Sequence, residues 1–137
     1  MTKKEWVRVG LVYLCSYQVI VGTWQFFFPR SFYDDIPTVD NDPPFNEHLM
    51  RDVGGLGLAL TVVIAFALVL MEYHLVCAAL AANIVYASTH FGFHITNLRG
   101  WTMSDAVTLT SVLGIHVIIP GAIFVLARQI PDLDEAS

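Results

Sequence analysis

Long apolar runs alternate with short polar ones along this chain. Four of the runs, at about 6–28, 47–70, 75–97 and 105–127, are nearly free of charge. Each is about 20 residues or slightly longer, the length a helix needs to cross a ~30 Å hydrocarbon layer. None shows the strict alternation of a barrel strand. Backbone groups in lipid must find partners within their own segment, so each run predicts a helix. The expected fold is all-α: a four-transmembrane-helix antiparallel bundle forming a single membrane domain over residues 1–137. A structured, proline-rich outer loop spans 29–46.

Polar residues set the expected boundaries. Lys3 and Lys4 precede the first run as they would a signal peptide. The run exceeds a signal peptide's apolar core of about 7–15 residues, however, and no small-residue cleavage site closes it. It ends in Phe26, Phe27, Phe28 and Pro29, and reads as a retained span. Pro29, Pro37, Pro43 and Pro44 follow, and proline removes backbone donors, so regular structure is not expected in the loop. Phe32, Tyr33 and Phe45 suit an interfacial belt along the membrane surface. Asn46 is placed to cap the second helix. Small residues in that helix, with Gly55 and Ala59 at spacing four, predict close approach to a neighbour. Residues 71–74 are too few for anything but a hairpin turn. Thr102 and Asp105 form a capping-box pattern before the last helix.

Composition agrees with a lipid environment. Hydrophobic residues make up 55% and charged residues 14% of the chain, against about 25% charged in a soluble domain. Mean hydropathy is +0.60. The net charge of −5 comes from acids between Asp34 and Asp52 and in the tail at Asp132, Asp134 and Glu135. These read as solvated segments, and an acidic balance argues against a nucleic-acid partner. Lys3, Lys4, Arg8 and Arg128 lie on one side, Arg30, Arg51 and Arg99 on the other. The positive-inside rule then makes both termini cytoplasmic, in an expected bacterial plasma membrane. Trp6, Trp24 and Trp101 read as interfacial anchors. Cys15 and Cys77 fall at different depths, too far apart for a disulfide.

The histidines carry the candidate chemistry, since ionisable residues within spans usually face a bundle interior or a cavity. His48 and Asp52 are four apart, as are His90 and His94, so each pair shares a helix face. The hairpin brings those helix ends together, and facing helices of bundles build metal sites this way. His48, Asp52, His90 and His94 are therefore candidate ligands for zinc, copper or non-haem iron. Glu47, Asn97 and Asp105 are candidates to orient the ligands. The competing reading is a polar cluster without metal, because H-x-x-x-H lacks the glutamate of the metalloprotease motif. Asn83, Tyr86, His90, His94 and Asn97 form one stripe on the third span, expected to face protein. A second stripe joins Asp105, Thr108, Val112 and His116. His116 lies roughly 16 Å below Asp105 at a rise of ~1.5 Å per residue, near mid-bilayer. Pro120 removes the helical partner of the His116 carbonyl. Gln18, Tyr17 and Asn83 are candidate partners for this mid-membrane polar site. Haem ranks below a simple metal ion, since His116 lies deep while His48, His90 and His94 lie nearer the surface, which leaves no obvious bis-histidine pair.

Walker, Rossmann, hydrolase-elbow and C-x-x-C motifs are missing from the sequence. The segment R-V-G-L-V-Y-L, the exit through Phe28, Pro29, Phe32 and Tyr33, and the stretch N-E-H-L-M-R-D-V-G-G resemble small four-helix membrane proteins of the DoxX-like group. That resemblance implies association with membrane redox complexes, in an accessory or quinone-linked role, and assigns no catalytic residue. The leading expectation is an accessory or assembly subunit, in contact with membrane lipids and with other membrane subunits or copies of itself. A metal-dependent oxidoreductase or metal-handling protein is the second expectation, and a lipid or quinone binder the third.

Overall fold

The computed structural model describes residues 1–41 and 44–130. Asp42, Pro43 and the acidic tail residues Asp132, Asp134 and Glu135 lie outside the described residues. The described residues are all-helical: α1 (Lys3–Phe27), α2 (Pro29–Asp35), a short 3₁₀ turn (Val39–Asn41), α3 (Glu47–Leu70), α4 (Tyr73–Thr96) and α5 (Met103–Ala127). The four long helices each have the length and hydropathy of a membrane span. Their exposed faces carry residues such as Val62, Phe66, Val69, Ile118 and Val125. Such faces are stable in lipid and costly in water. The chain is an integral membrane protein.

Capping explains where the helices begin. Asn46 Oδ1 accepts from the Leu49 N–H at 3.1 Å, and Thr102 Oγ1 from the Asp105 N–H at 3.2 Å, as the sequence predicts. A further capping box lies at the first helix. Thr2 Oγ1 accepts from the Glu5 N–H at 3.2 Å, and the Glu5 carboxylate accepts from the Thr2 N–H at 2.7 Å. It starts α1 three residues ahead of the apolar run, at Lys3 rather than at residue 6. The α3–α4 turn is also tighter than 71–74. Met71 takes a left-handed conformation, φ 50°, and Glu72 already caps α4. The Glu72 carboxylate accepts from the N–H groups of His74 and Leu75 at 2.9 and 2.7 Å.

The outer loop departs from expectation, because Pro29 opens a helix instead of preventing one. At the first helical position its missing N–H has no partner to lose. Phe32 is buried edge-on to Trp24, with ring centroids 5.7 Å apart. The Trp24 indole donates to Ser31 Oγ at 3.0 Å, and Ser31 donates to Asp35 at 2.7 Å.

In the bundle α1 packs most extensively on α3, and α4 on α5; contacts of α3 with α4 and of α1 with α5 close the ring. The tightest seam is between α1 and α3. A Cβ placed on Gly54 would lie 2.6 Å from the Phe26 backbone nitrogen, and one on Gly22 3.1 Å from the Gly54 carbonyl. The close approach therefore uses Gly54 and Gly57 against Gly22. Gly55 is half-buried and Ala59 exposed, so the pair predicted from spacing four lies off the seam. Val7, Leu11, Ile64, Met71, Leu80 and Ile123 form the centre of a core at the end of the bundle that holds both termini. Lys3 Nζ donates to Gln129 Oε1 at 2.8 Å across that end. Cys15 and Cys77 are half-buried and free.

Candidate functional site

The opposite half of the bundle is not filled. A cavity of about 590 Å³ lies beyond the core, walled by all four spanning helices and roofed by Phe32, Ile36, Pro37, Thr38 and Val39. Drug-sized ligands occupy pockets of about 300–1,000 Å³. Its walls are mainly apolar, and no Asp, Glu, Lys or Arg lines it among the described residues. The roof contacts α1 and α3, which hold α2 in place. Thr38 within it is buried at φ 77°, a conformation seldom taken by a β-branched residue.

Two polar groups mark the deep end. Gln18 Nε2 on α1 donates to Asn83 Oδ1 on α4 at 3.2 Å, across the bundle. Asn83 Nδ2 in turn donates to the Ala79 carbonyl at 2.9 Å. Both side chains are buried, and each hydrogen bond offsets the cost of desolvating an amide. His116 on α5 is the second group. Its Nδ1 lies 2.8 Å from the Val112 carbonyl, which can only accept, so Nδ1 carries the hydrogen. In the neutral ring Nε2 is then an acceptor, and the Tyr13 hydroxyl, 3.3 Å away, donates to it. The Tyr17 ring lies against the imidazole, with centroids 3.8 Å apart. Of the expected partners of His116, Tyr17 is thus a ring contact, while Gln18 and Asn83 bond to each other. Tyr13 is the partner that sequence reasoning missed; its spacing of four from Tyr17 was the available signal. α5 continues through Pro120, which is fully buried.

The α4 stripe, expected to face protein, lines the cavity with four of its five residues, Asn83, Tyr86, His90 and His94; Asn97 does not reach it. The Tyr86 and His90 rings stack at 6.0 Å, and His90 meets His94 edge-on at 4.7 Å. The hydroxyls of Tyr17 and Tyr86 make no hydrogen bond among the described residues. No buried side-chain polar atom among those residues lacks a partner, so both hydroxyls are accessible, and both residues line the cavity.

The four candidate metal ligands do not converge. His48 Nε2 lies 3.3 Å from Asp52 Oδ2, and both side chains are strongly exposed, 86% and 64%. Neither lines the cavity that holds His90 and His94. Among the described residues no group of three or more His, Cys, Asp or Glu is arranged to hold a metal ion. The cause is helix rotation. Met50, Gly54 and Gly57 form the buried face of α3. His48 and Asp52 each sit two residues from Met50, about 200° around a helix of 3.6 residues per turn. The residues expected to orient the ligands are engaged elsewhere. Glu47 pairs with Arg51 at 2.8 Å, and Asn97 Nδ2 donates to the Phe93 carbonyl at 2.7 Å. Asp105 accepts from the Thr102 hydroxyl at 2.8 Å. Arg51 also donates to the Phe26 carbonyl, closing the C-terminal end of α1. His74 pairs with Glu72 at 3.0 Å on the opposite end of the bundle.

No known protein family, curated protein or solved structure matches the chain.

Proposed function

We propose that this protein binds a lipid-soluble small molecule, a lipid or a quinone, inside the membrane. The observation that carries the reading is the cavity: ligand-sized, built by all four spans and lined by no Asp, Glu, Lys or Arg among the described residues. A charged group would be expensive in such a chamber, so the part of the ligand inside it is uncharged. The accessible hydroxyls of Tyr17 and Tyr86 would donate to carbonyl or ether oxygens, and the rings of Tyr17, Tyr86 and His90 offer flat apolar walls. Positive-inside orientation would put this half of the bundle in the outer leaflet.

The resemblance to DoxX-like proteins, with its link to membrane redox complexes, favours a quinone among such ligands. An accessory role is compatible with ligand binding, but it needs a protein-facing surface, and no feature of the exposed helix faces points to one. The test is native mass spectrometry of protein extracted in mild detergent. The expected result is one retained lipid or quinone mass per chain, or stoichiometric uptake when decylubiquinone or a monoacylglycerol is added. A chain that carries no adduct and takes up neither probe would contradict the proposal.

A further inference from the structure

A second depression, of about 500 Å³, lies at the cap end of the bundle, lined by Asn41, Asn97, Arg99, Trp101, Thr102 and Asp105 among others. Its lining is polar where the chamber's is apolar. The two share three walls. The 3₁₀ turn gives Val39 to the chamber and Asn41 to the cleft. α4 gives His94 to the chamber, and Asn97 at its end lines the cleft. α5 gives Thr108 to the chamber and, one turn outward, Asp105 to the cleft. Each wall passes from chamber to cleft within about one helical turn, ~5.4 Å. From His116 at the chamber floor to Asp105 the path is roughly 16 Å along α5.

The cleft carries complementary charges with spare bonding capacity. Arg99 forms no ion pair among the described residues. Its guanidinium is suited to bidentate recognition of phosphate. Asp105 uses one carboxylate oxygen, Oδ2, on Thr102, and Oδ1 has no hydrogen-bond partner among the described residues. Asn97 spends its amide hydrogens on Phe93 and Thr96, and its carbonyl oxygen remains an acceptor. Trp101 adds an aromatic face of the kind that attracts ammonium groups.

A mainly apolar chamber lined by no Asp, Glu, Lys or Arg among the described residues, within about one helical turn of a surface cleft with one cation and one anion, matches an amphiphile with a zwitterionic head. We infer that the ligand is a phospholipid with a phosphoethanolamine-type head, its phosphate on Arg99, its amine towards Asp105 and Trp101, and an acyl chain in the chamber. This inference rests on the chamber being a ligand site and adds which class of lipid it takes.

The experiment compares four probes by native mass spectrometry and equilibrium titration in detergent: palmitoyl lysophosphatidylethanolamine, monopalmitoylglycerol, decylubiquinone and free phosphoethanolamine. The lysophospholipid is expected to bind about tenfold more tightly than the glycerol ester, the scale of one charge-assisted contact. Arg99→Ala is expected to erase that difference and leave the glycerol ester unchanged, while Arg99→Lys keeps part of it. Equal affinity for the two palmitoyl probes, insensitive to Arg99→Ala, would overturn the head-group assignment and leave the chamber reading standing. Tighter binding of decylubiquinone than of the lysophospholipid would do the same. Equal binding of free phosphoethanolamine and the lysophospholipid would show a head-group site with no acyl chain, which also overturns it. Failure of all four probes would remove the chamber reading together with the inference.

Discussion

Alanine at Gly54 and alanine at Gly55 should have opposite effects, although the positions are adjacent in sequence. At Gly54 the added Cβ would stand 2.6 Å from the Phe26 backbone nitrogen and 2.9 Å from the Gly22 carbonyl oxygen. Both are backbone atoms of α1, so no side chain can rotate away. A comfortable heavy-atom separation is about 3.5 Å, which means α1 and α3 must part by roughly 0.9 Å (3.5 − 2.6). Overpacking of this kind costs about 1–3 kcal/mol. Replacing glycine by alanine within a helix recovers about 1 kcal/mol. The expected balance at Gly54 is a loss of about 1 kcal/mol. At Gly55 the new Cβ would meet only the Phe26 ring, at 3.8 Å. The propensity term then acts alone, and Gly55→Ala should gain up to about 1 kcal/mol. The assay is reversible unfolding in mixed micelles, followed by helical circular dichroism as the denaturing detergent fraction rises. Gly54→Ala as stable as Gly55→Ala, or more so, would refute the claim that backbone contact at Gly54 holds the first and third helices together.

Other predictions concern single polar contacts. In a double-mutant cycle, Gln18→Leu and Asn83→Leu should show a coupling of about 0.6 kcal/mol and no more than ~1.7, the range for hydrogen bonds between membrane helices; additive losses would mean that the two amides do not act as a pair. Tyr13→Phe should lower stability by about 0.6 kcal/mol through loss of the hydroxyl donated to His116, and an unchanged unfolding midpoint would count against the tautomer assigned to that ring. The backbone N–H of His74, then that of Leu75 and the His74 ring, hold the Glu72 carboxyl below its ordinary pKa. A depressed folded pKa contributes stability above the unfolded value and loses it as pH falls through the folded one. Acidification through that window should therefore loosen the α3–α4 turn, read as lower amide protection factors at residues 74–76 once the intrinsic pH dependence of exchange is divided out, and Glu72→Gln should flatten the pH dependence.

The spans were legible because each helix follows an apolar run, and the caps at Asn46 and Thr102 are written in local residue types. The structured start at Thr2 was less so, since polar first turns lie outside the apolar signal. The stripes were legible too: Asn83, Tyr86, His90 and His94 on α4, with Thr108, Val112 and His116 on α5, all reach the cavity. Asn97 and Asp105, the ends of those stripes, reach the surface cleft instead. Helix rotation was not legible. Spacing four places His48 and Asp52 on one face but cannot say which way that face turns, and the glycine seam with α1 turns it outward. The cavity itself was invisible in sequence, because a void is set by how far apart packed helices stand. Its one local trace is the roof, where Pro29 starts a helix and Phe32 folds inward.

The most direct measurement of the central claim is the stoichiometry of palmitoyl-lipid binding to the purified protein and to Ala87→Trp, by equilibrium titration in detergent. Ala87 lines the chamber, and an indole there would occupy space that a ligand needs. The account predicts saturable binding near one molecule per chain for the wild type and its loss in a folded Ala87→Trp variant. Binding of equal strength and stoichiometry in both would place the lipid elsewhere on the protein and contradict it.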